Sequence, residues 1–247
     1  MPDFLVVQLH GALASWGDIA VGEHRPSLGH PSKSAVTGLL AAALGIDRED
    51  DDMHSRLASE YGVAICVRAA GELLRDYHTV QVPGGKCEYA TRRDELLTDK
   101  LNLNTILSQR DYHTDTFYQV AIWCSNEGAP FTLESLQQHL RQPHYTLYLG
   151  RKSCPIALPL HPVIFSGISL KQAFDDYPHS KAEGWTEYLG QSPLINYFWE
   201  GGKLKGSDLG MSSSMTYPRR DQVRSRKRWQ FSSRDEFYYA ETIGEGA

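Results

Sequence analysis

The chain has 247 residues, 41% of them hydrophobic and 22% charged, with a formal net charge of -5 at pH 7. That length is enough for a full core in one large domain or two small ones, and the composition is ordinary for a soluble globular protein. The longest uncharged and mostly apolar run, AVTGLLAAALGI, has 12 residues, too short to cross a bilayer, and MPDFLVVQLHG carries an acid where a signal peptide wants a base. The expectation is a cytoplasmic protein that engages no membrane.

In chain order, FLVVQL (4–9) is a short apolar, β-branched run ended by Gly11 and predicts a buried strand. Pro31 and Ser32 open a helix whose Val36, Leu39, Leu40 and Ala43 share one face, with Gly45 placed as its left-handed cap. A short second helix puts Met53, Leu57 and Tyr61 on one face. GVAICVRA (62–69) and DTFYQVAIWC (115–124) predict two further strands, the latter with Tyr118, Val120, Ile122 and Cys124 on one side. TLESLQQHLRQP predicts a helix stopped by Pro143, followed by a strand in HPVIFSGI (161–168) and a helix in LKQAFDDY.

The order β–α–β–insertion–β–α–β predicts an α+β, ferredoxin-like sheet with helices on one face. About 45 residues separate the two central strands, far more than a hairpin loop needs, and the alternation in YHTVQV predicts a protruding ribbon there. The division expected is a core over 1–180 with its insertion near 79–113, then a β-rich extension over 181–247. In the extension GGKLKGSDLGMSSSM reads as loop and RWQFSSRDEFYYAET as a closing pair of strands.

Cys66, Cys87, Cys124 and Cys154 stand 21, 37 and 30 residues apart with no C-x-x-C pair, which predicts reduced thiols and no metal site. Charge is uneven. DREDDD (47–52) holds five acids against one base, while RRDQVRSRKR (219–228) has a local charge of +5, so the rest of the chain sums to -10. A charge run is more often a solvated face than a site, yet Trp229 and Phe231 follow these bases directly, a pairing that suits RNA.

GHPSKSAVTG lacks the Gly before Lys that a phosphate loop requires, so an NTPase is excluded. Ser32, Lys33 and Ser34 at a helix start still offer a seat for one phosphate, and simple capping by Ser32 explains the same residues equally well. YTLYLGRKSCP (145–155) sets Tyr145 and Tyr148 before a Gly-Arg-Lys turn, which fits single-stranded RNA or core tyrosines beside a surface turn. The pentapeptide RDYHT occurs twice, at 75–79 and 110–114, flanking the insertion. As an active site it fails, because Tyr77 and His78 are neighbours on a strand and point to opposite faces. As a repeat it also fails, because the similarity stops at five residues.

LHGALASWGD, HRPSLGHPSKSAVTGLLAAALGI, LRDYHTV, YTLYLGRKSCP and RWQFSSRDEFYY together resemble the CasD family of the type I-E CRISPR surveillance complex Cascade. They stand in the family's order and span most of the chain, with 80–109 and 180–215 matching poorly. The resemblance implies an RNA-recognition-motif-like core with a β-ribbon thumb, and a non-catalytic subunit without cofactor or metal. It implies binding of the CRISPR RNA 5′ handle, a cap on the filament of CasC-type backbone subunits, contact with the CasA-type large subunit, and proximity to target DNA.

The RNA-binding set expected from the two readings is Trp16, Arg25, Ser32, Lys33, Ser34, His78, Tyr145, Tyr148, Arg151, Lys152, Arg219, Arg220, Arg228 and Arg234. Arg75, Tyr77, Arg110 and Tyr112 are expected to anchor the thumb, the two tyrosines wedged into the core. Trp16 is read either as a stacking platform or as core. Two rivals stand beside this reading: a metal-independent endoribonuclease using Tyr77, His78 and Lys33, and a protein-interaction subunit that touches no RNA.

Overall fold

A computed structural model describes residues 2–84, 88–98, 103–126, 128–178, 194–200 and 204–242. β1 (Phe4–Ala14) is buried along its first eight residues because both of its faces are covered. Its odd residues Leu5, Val7 and Leu9 enter one core with Val36, Leu40 and Ala43 of α1 (Lys33–Leu44). Its even residues Phe4 and Val6 enter a second core on the opposite face. Continuous burial on both faces explains why FLVVQL shows no alternation. Each fully buried side chain of this kind, such as Leu40, contributes about 1.5–3 kcal/mol.

α1 starts where Ser32 accepts a hydrogen bond from the Ala35 N–H, and ends at Gly45 with φ 76°. α2 (Asp51–Glu60) is capped by Asp50 and leads without a loop into β5 (Tyr61–Ala69). The chain then makes a short kink and continues as β6 (Glu72–Pro83); Gly71 holds φ 66° there, and a Cβ would sit 1.8 Å from the Thr114 carbonyl oxygen. α3 (Arg92–Thr98) follows, then β7 (Leu103–Cys124), 22 residues long. The second half of β7 lies between β1 and β5, and its first half pairs with β6 in register from Glu72↔Thr114 to Pro83↔Leu103. β5–β6 and β7 thus form one long hairpin whose far half leaves the body as a two-stranded ribbon.

α4 (Leu133–Arg141) buries Leu133, Leu136 and Leu140 on the α1 side and returns to the short edge strand β8 (Val163–Phe165). α5 (Leu170–Asp175) buries Leu170, Ala173 and Phe174 in the other core. Both faces of the sheet therefore carry helix, whereas the periodicity put helices on one. The cause is the long apolar stripe Ala64, Cys66, Ala121 and Trp123, which needs a cover of its own.

β9 (Leu194–Glu200), α6 (Gly206–Leu209), β10 (Met215–Ser225) and β11 (Gln230–Thr242) complete the described chain. The main sheet runs β10-β11-β9-β5-β7-β1-β8, with β6 and the two-residue β3 (His24–Arg25) attached to β7. A second small sheet pairs β2 (Trp16–Gly17) with β4 (Ser27–Leu28). RWQFSSRDEFYYAET supplies one strand, not two: its partner is the basic segment itself, which forms β10. Of the supposed loop before it, Gly206–Leu209 is a helical turn and Met215 already belongs to β10.

The acidic and basic runs meet. Asp51 accepts from the Ser225 hydroxyl at 2.7 Å and from the Arg226 and Lys227 N–H groups at 2.8 and 3.1 Å. Glu49 lies 3.4 Å from Lys227. Cys66, Cys124 and Cys154 are free thiols, and burial pushes Cys66 up to about 12, well away from nucleophilic use. Cys87 lies outside the described residues.

Candidate nucleic-acid interface

The two RDYHT copies face each other at the root of the ribbon. Antiparallel pairing sets Arg75 opposite Asp111 and Asp76 opposite Arg110, so each Arg-Asp step meets the other in reverse. One half of that reciprocity becomes an ion pair: Arg75 Nε and Nη2 reach the two Asp111 oxygens at 2.8 and 3.1 Å. The other half does not, because Asp76 turns to His78 along its own strand. Asp111 also receives His24 Nε2 at 3.1 Å, and its carbonyl accepts the Ser15 hydroxyl at 2.9 Å. Arg75, then His24, hold its carboxyl below the usual aspartate range.

His24 and Arg25 in β3 run parallel to β7 with Arg25 beside Arg110. The Gly-Arg-Lys turn closes over this root: the Leu149 N–H donates to the Cys154 carbonyl at 2.8 Å, and Gly150 holds φ 87°. A Cβ at Gly150 would lie 1.9 Å from the Ser15 carbonyl oxygen, so only glycine lets the turn approach β1 this closely. Arg151 Nη2 then donates to the Arg25 carbonyl at 3.2 Å, and its guanidinium lies 4.8 Å over the Tyr112 ring. Arg25, Arg110 and Arg151 thereby meet on one face of β7 from three distant parts of the sequence, with Lys152 next to Arg151, while Arg75 pairs with Asp111 on the other face. Lys152 and Tyr148 are exposed on the turn, and Tyr145 stands 50% exposed just before it.

Other predicted residues lie elsewhere. Lys33 is only 2% exposed, and its Nζ meets Glu200 at 2.6 Å. The predicted phosphate seat at the start of α1 is taken by the protein's own carboxylate: the Lys33 N–H donates to Asp221 at 2.8 Å. Ser32 caps the helix and lies 3.0 Å from the Ser34 hydroxyl. Arg234 grips Asp221 at 2.6 and 2.9 Å and Glu236 at 2.7 Å, while Arg219 and His30 both reach Glu236 at 3.0 Å. Three cations meet three carboxylates in this buried cluster. Burial, the largest influence, pushes the His30 pKa down and favours its neutral form. Lys33, Arg219 and Arg234 thus join β9, β10 and β11 to α1 and do not face solvent, which corrects their expected placement on an RNA path. Arg220 and Arg228 do face solvent, at the far side of β10 and in the turn that follows.

Trp16 is 1% exposed and packs edge-on against Tyr118, ring centroids 5.9 Å apart, so it is core and not a stacking platform. Tyr112 is buried as expected, but Tyr77 is 58% exposed on the ribbon and wedges into nothing. His78 is half-buried against Asp76 on the ribbon face opposite to Tyr77. With Lys33 buried, the three groups of the ribonuclease reading do not converge. Among the described residues no cluster of His, Cys, Asp and Glu could hold a metal ion. Sequence reasoning missed His24, Ser15 and Asp111, which order the site across separations of 87 and 96 residues.

The model of a family described as CRISPR-associated protein (Cas_Cas5) matches residues 4–235. The chain belongs to this Cas5 family. Among relatives, it is 29% identical over 243 residues to the CRISPR system Cascade subunit CasD of Escherichia coli (strain K12), covering 95% of each chain. Its fold is similar to a chain of a CRISPR RNA-guided surveillance complex, with TM-score 0.62, 23% identity, and 97% and 90% of the two chains covered. A second Cas protein structure aligns with TM-score 0.58 and 26% identity, covering 97% and 94%. No helix among the described residues is long and apolar enough to cross a membrane.

Proposed function

We propose that this Cas5-family chain is a non-catalytic, cytoplasmic subunit of a Cascade-like surveillance complex and holds the 5′ handle of the CRISPR RNA at the root of the ribbon. The observation that carries this reading is the convergence of Arg25, Arg110 and Arg151 on one face of the ribbon root, with Lys152 and Tyr148 on the same turn as Arg151 and with Arg75 fixed by Asp111 on the opposite face. Guanidiniums held by Asp111 and by the Arg25 carbonyl are preorganised for bidentate phosphate contact, and an exposed tyrosine offers a face to a splayed base. The kinship with the Cascade subunit CasD of Escherichia coli supports the assignment to such a complex.

The strand order β8-β1-β7-β5, with α1 and α4 as crossovers, supports reading residues 1–180 as a ferredoxin-like core. β9 to β11 then form the 181–247 extension on its β5 edge, and residues 79–113 form the thumb. Leu74, Val80 and Ile106 are exposed on one face of that ribbon and suit docking of a neighbouring backbone subunit, with the CasA-type subunit adjoining and target DNA passing nearby. The test is binding of a labelled handle RNA over a salt series. Arg25→Ala and Arg151→Ala should each weaken binding about tenfold and lower the log–log salt slope by about 0.7. Slopes equal to wild type in both variants would remove the ribbon root from the RNA path. Handle-RNA cleavage in chelator, abolished by His78→Ala, would establish the ribonuclease instead.

A further inference from the structure

We propose that the turn between β10 and β11 is a second contact for single-stranded nucleic acid, distinct from the ribbon root, in which Trp229 stacks a base and Arg220, Arg224 and Arg228 hold phosphates. The turn packs on α1 and α2, through the Asp51 contacts and a hydrogen bond from Arg226 to the Ser34 carbonyl, and not on the ribbon.

Three observations carry the proposal. The first is Trp229 itself, a large aromatic left 59% exposed at φ 56°, a backbone region that Gly or Asn occupies at lower cost. A strained and exposed aromatic is the arrangement a stacking platform requires.

The second observation is rigidity. Asp51 clamps two successive N–H groups and the Ser225 hydroxyl, whose oxygen accepts from the Arg228 N–H at 2.9 Å. Arg48 and Arg226 hold the indole, 5.1 and 5.5 Å from its ring centre, and Phe231 meets it edge-on at 5.4 Å. The platform is built before any ligand arrives.

The third is the charge left over. Of the six bases in 219–228, Arg219 is spent on Glu236, Arg226 on the Ser34 carbonyl, and Lys227 on Glu49. Arg220, Arg224 and Arg228 are exposed and form no ion pair among the described residues; Arg220 makes one long hydrogen bond, from Nε to the Phe231 carbonyl at 3.5 Å, and its Nη groups are left for a ligand. An acidic protein face would use these three forks and leave the indole idle; a single strand uses both, because every base has a π-face and every linkage a phosphate.

The test uses the full chain carrying Arg25→Ala, Arg110→Ala and Arg151→Ala together, which strips one face of the ribbon root of its arginines, and labelled handle-free oligonucleotides of mixed sequence, one RNA and one DNA. Trp229→Ala should weaken binding about 5- to 30-fold, and Trp229→Phe should retain most of it. The triple Arg220→Gln, Arg224→Gln, Arg228→Gln should lower the salt slope by about 2. Photocrosslinking should place the strand on the peptide containing Trp229. Tighter RNA than DNA binding would identify the ligand as guide, and the reverse as a strand of the target. Wild-type affinity in Trp229→Ala, or displacement of the oligonucleotide by polyglutamate as readily as by unlabelled strand, would overturn the proposal. If Trp229→Ala does not fold, Trp229→Phe and the triple variant decide it.

Discussion

Lys33→Met separates structural from RNA-binding roles at a residue that the sequence offered as a phosphate seat. In the structure Lys33 Nζ lies 2.6 Å from Glu200, whose other oxygen accepts the Val63 N–H at 3.1 Å. The two side chains are 2% and 8% exposed. Removing the ammonium leaves a carboxylate buried without its counter-charge, a loss of about 3–5 kcal/mol. With a urea m-value of about 2 kcal/mol/M, the unfolding midpoint should fall by about 1.5–2.5 M. Lys33→Met combined with Glu200→Gln should recover most of that loss, since the orphaned charge is then gone. Handle-RNA salt slopes should stay at the wild-type value in every variant that folds. A midpoint within about 0.5 M of wild type, together with a slope lowered by about 0.7, would show that Lys33 meets RNA and that the buried pair is not its role.

Three further outcomes follow from the geometry. Gly150→Ala should lower the melting temperature and weaken handle binding together, because φ 87° and a Cβ 1.9 Å from the Ser15 carbonyl force the turn off β1; a wild-type melting curve would contradict this. Arg75→Ala should free Asp111 and His24, loosening β3 from the ribbon root, with faster hydrogen exchange at Gln109, whose N–H is bonded to the Glu23 carbonyl at 3.0 Å, as the readout. Glu236 is depressed to about 2: its burial raises the pKa, but the bond from His30 and the charges of Arg219 and Arg234 outweigh it. A depressed carboxyl contributes stability that is fully present above its unfolded pKa of about 4.3 and is lost as pH falls toward the folded value. Glu236→Gln should therefore be less stable at pH 7 and show a flatter loss of stability between pH 4.5 and 2 by urea titration.

Much of the fold was legible locally. The 3.6-residue spacing of Val36, Leu40 and Ala43, the Ser32 cap and the Gly45 terminator are each decided within a few residues, and α1 has the bounds they predict. The strands at 4–9, 62–69 and 115–124 were legible in their apolar parts, but β1 runs past Gly11 to Ala14 and β7 begins at Leu103, because pairing with β7 and β6 extends them beyond their apolar runs. The basic segment was misread because its alternation hides under charge: Arg219 and Asp221 face the buried cluster while Arg220 and Arg224 face water. Charge alone does not say whether a base meets solvent or a buried acid well along the chain, as Arg219 meets Glu236 17 residues on.

At the candidate site the sequence by itself determined the ingredients. It placed Arg151 and Lys152 on a glycine turn, and it marked the RDYHT copies as the two ends of the insertion. What only the tertiary structure decided is which cations are left for a ligand. Lys33, Arg219 and Arg234 are consumed by Glu200, Asp221 and Glu236, whereas Arg25, Arg110 and Arg151 converge through the register of β3 and β7 and the close approach permitted by Gly150. The reason is physical: propensity and spacing act over a few residues, but an ion pair or a phosphate site forms between groups that only strand register brings within about 4 Å.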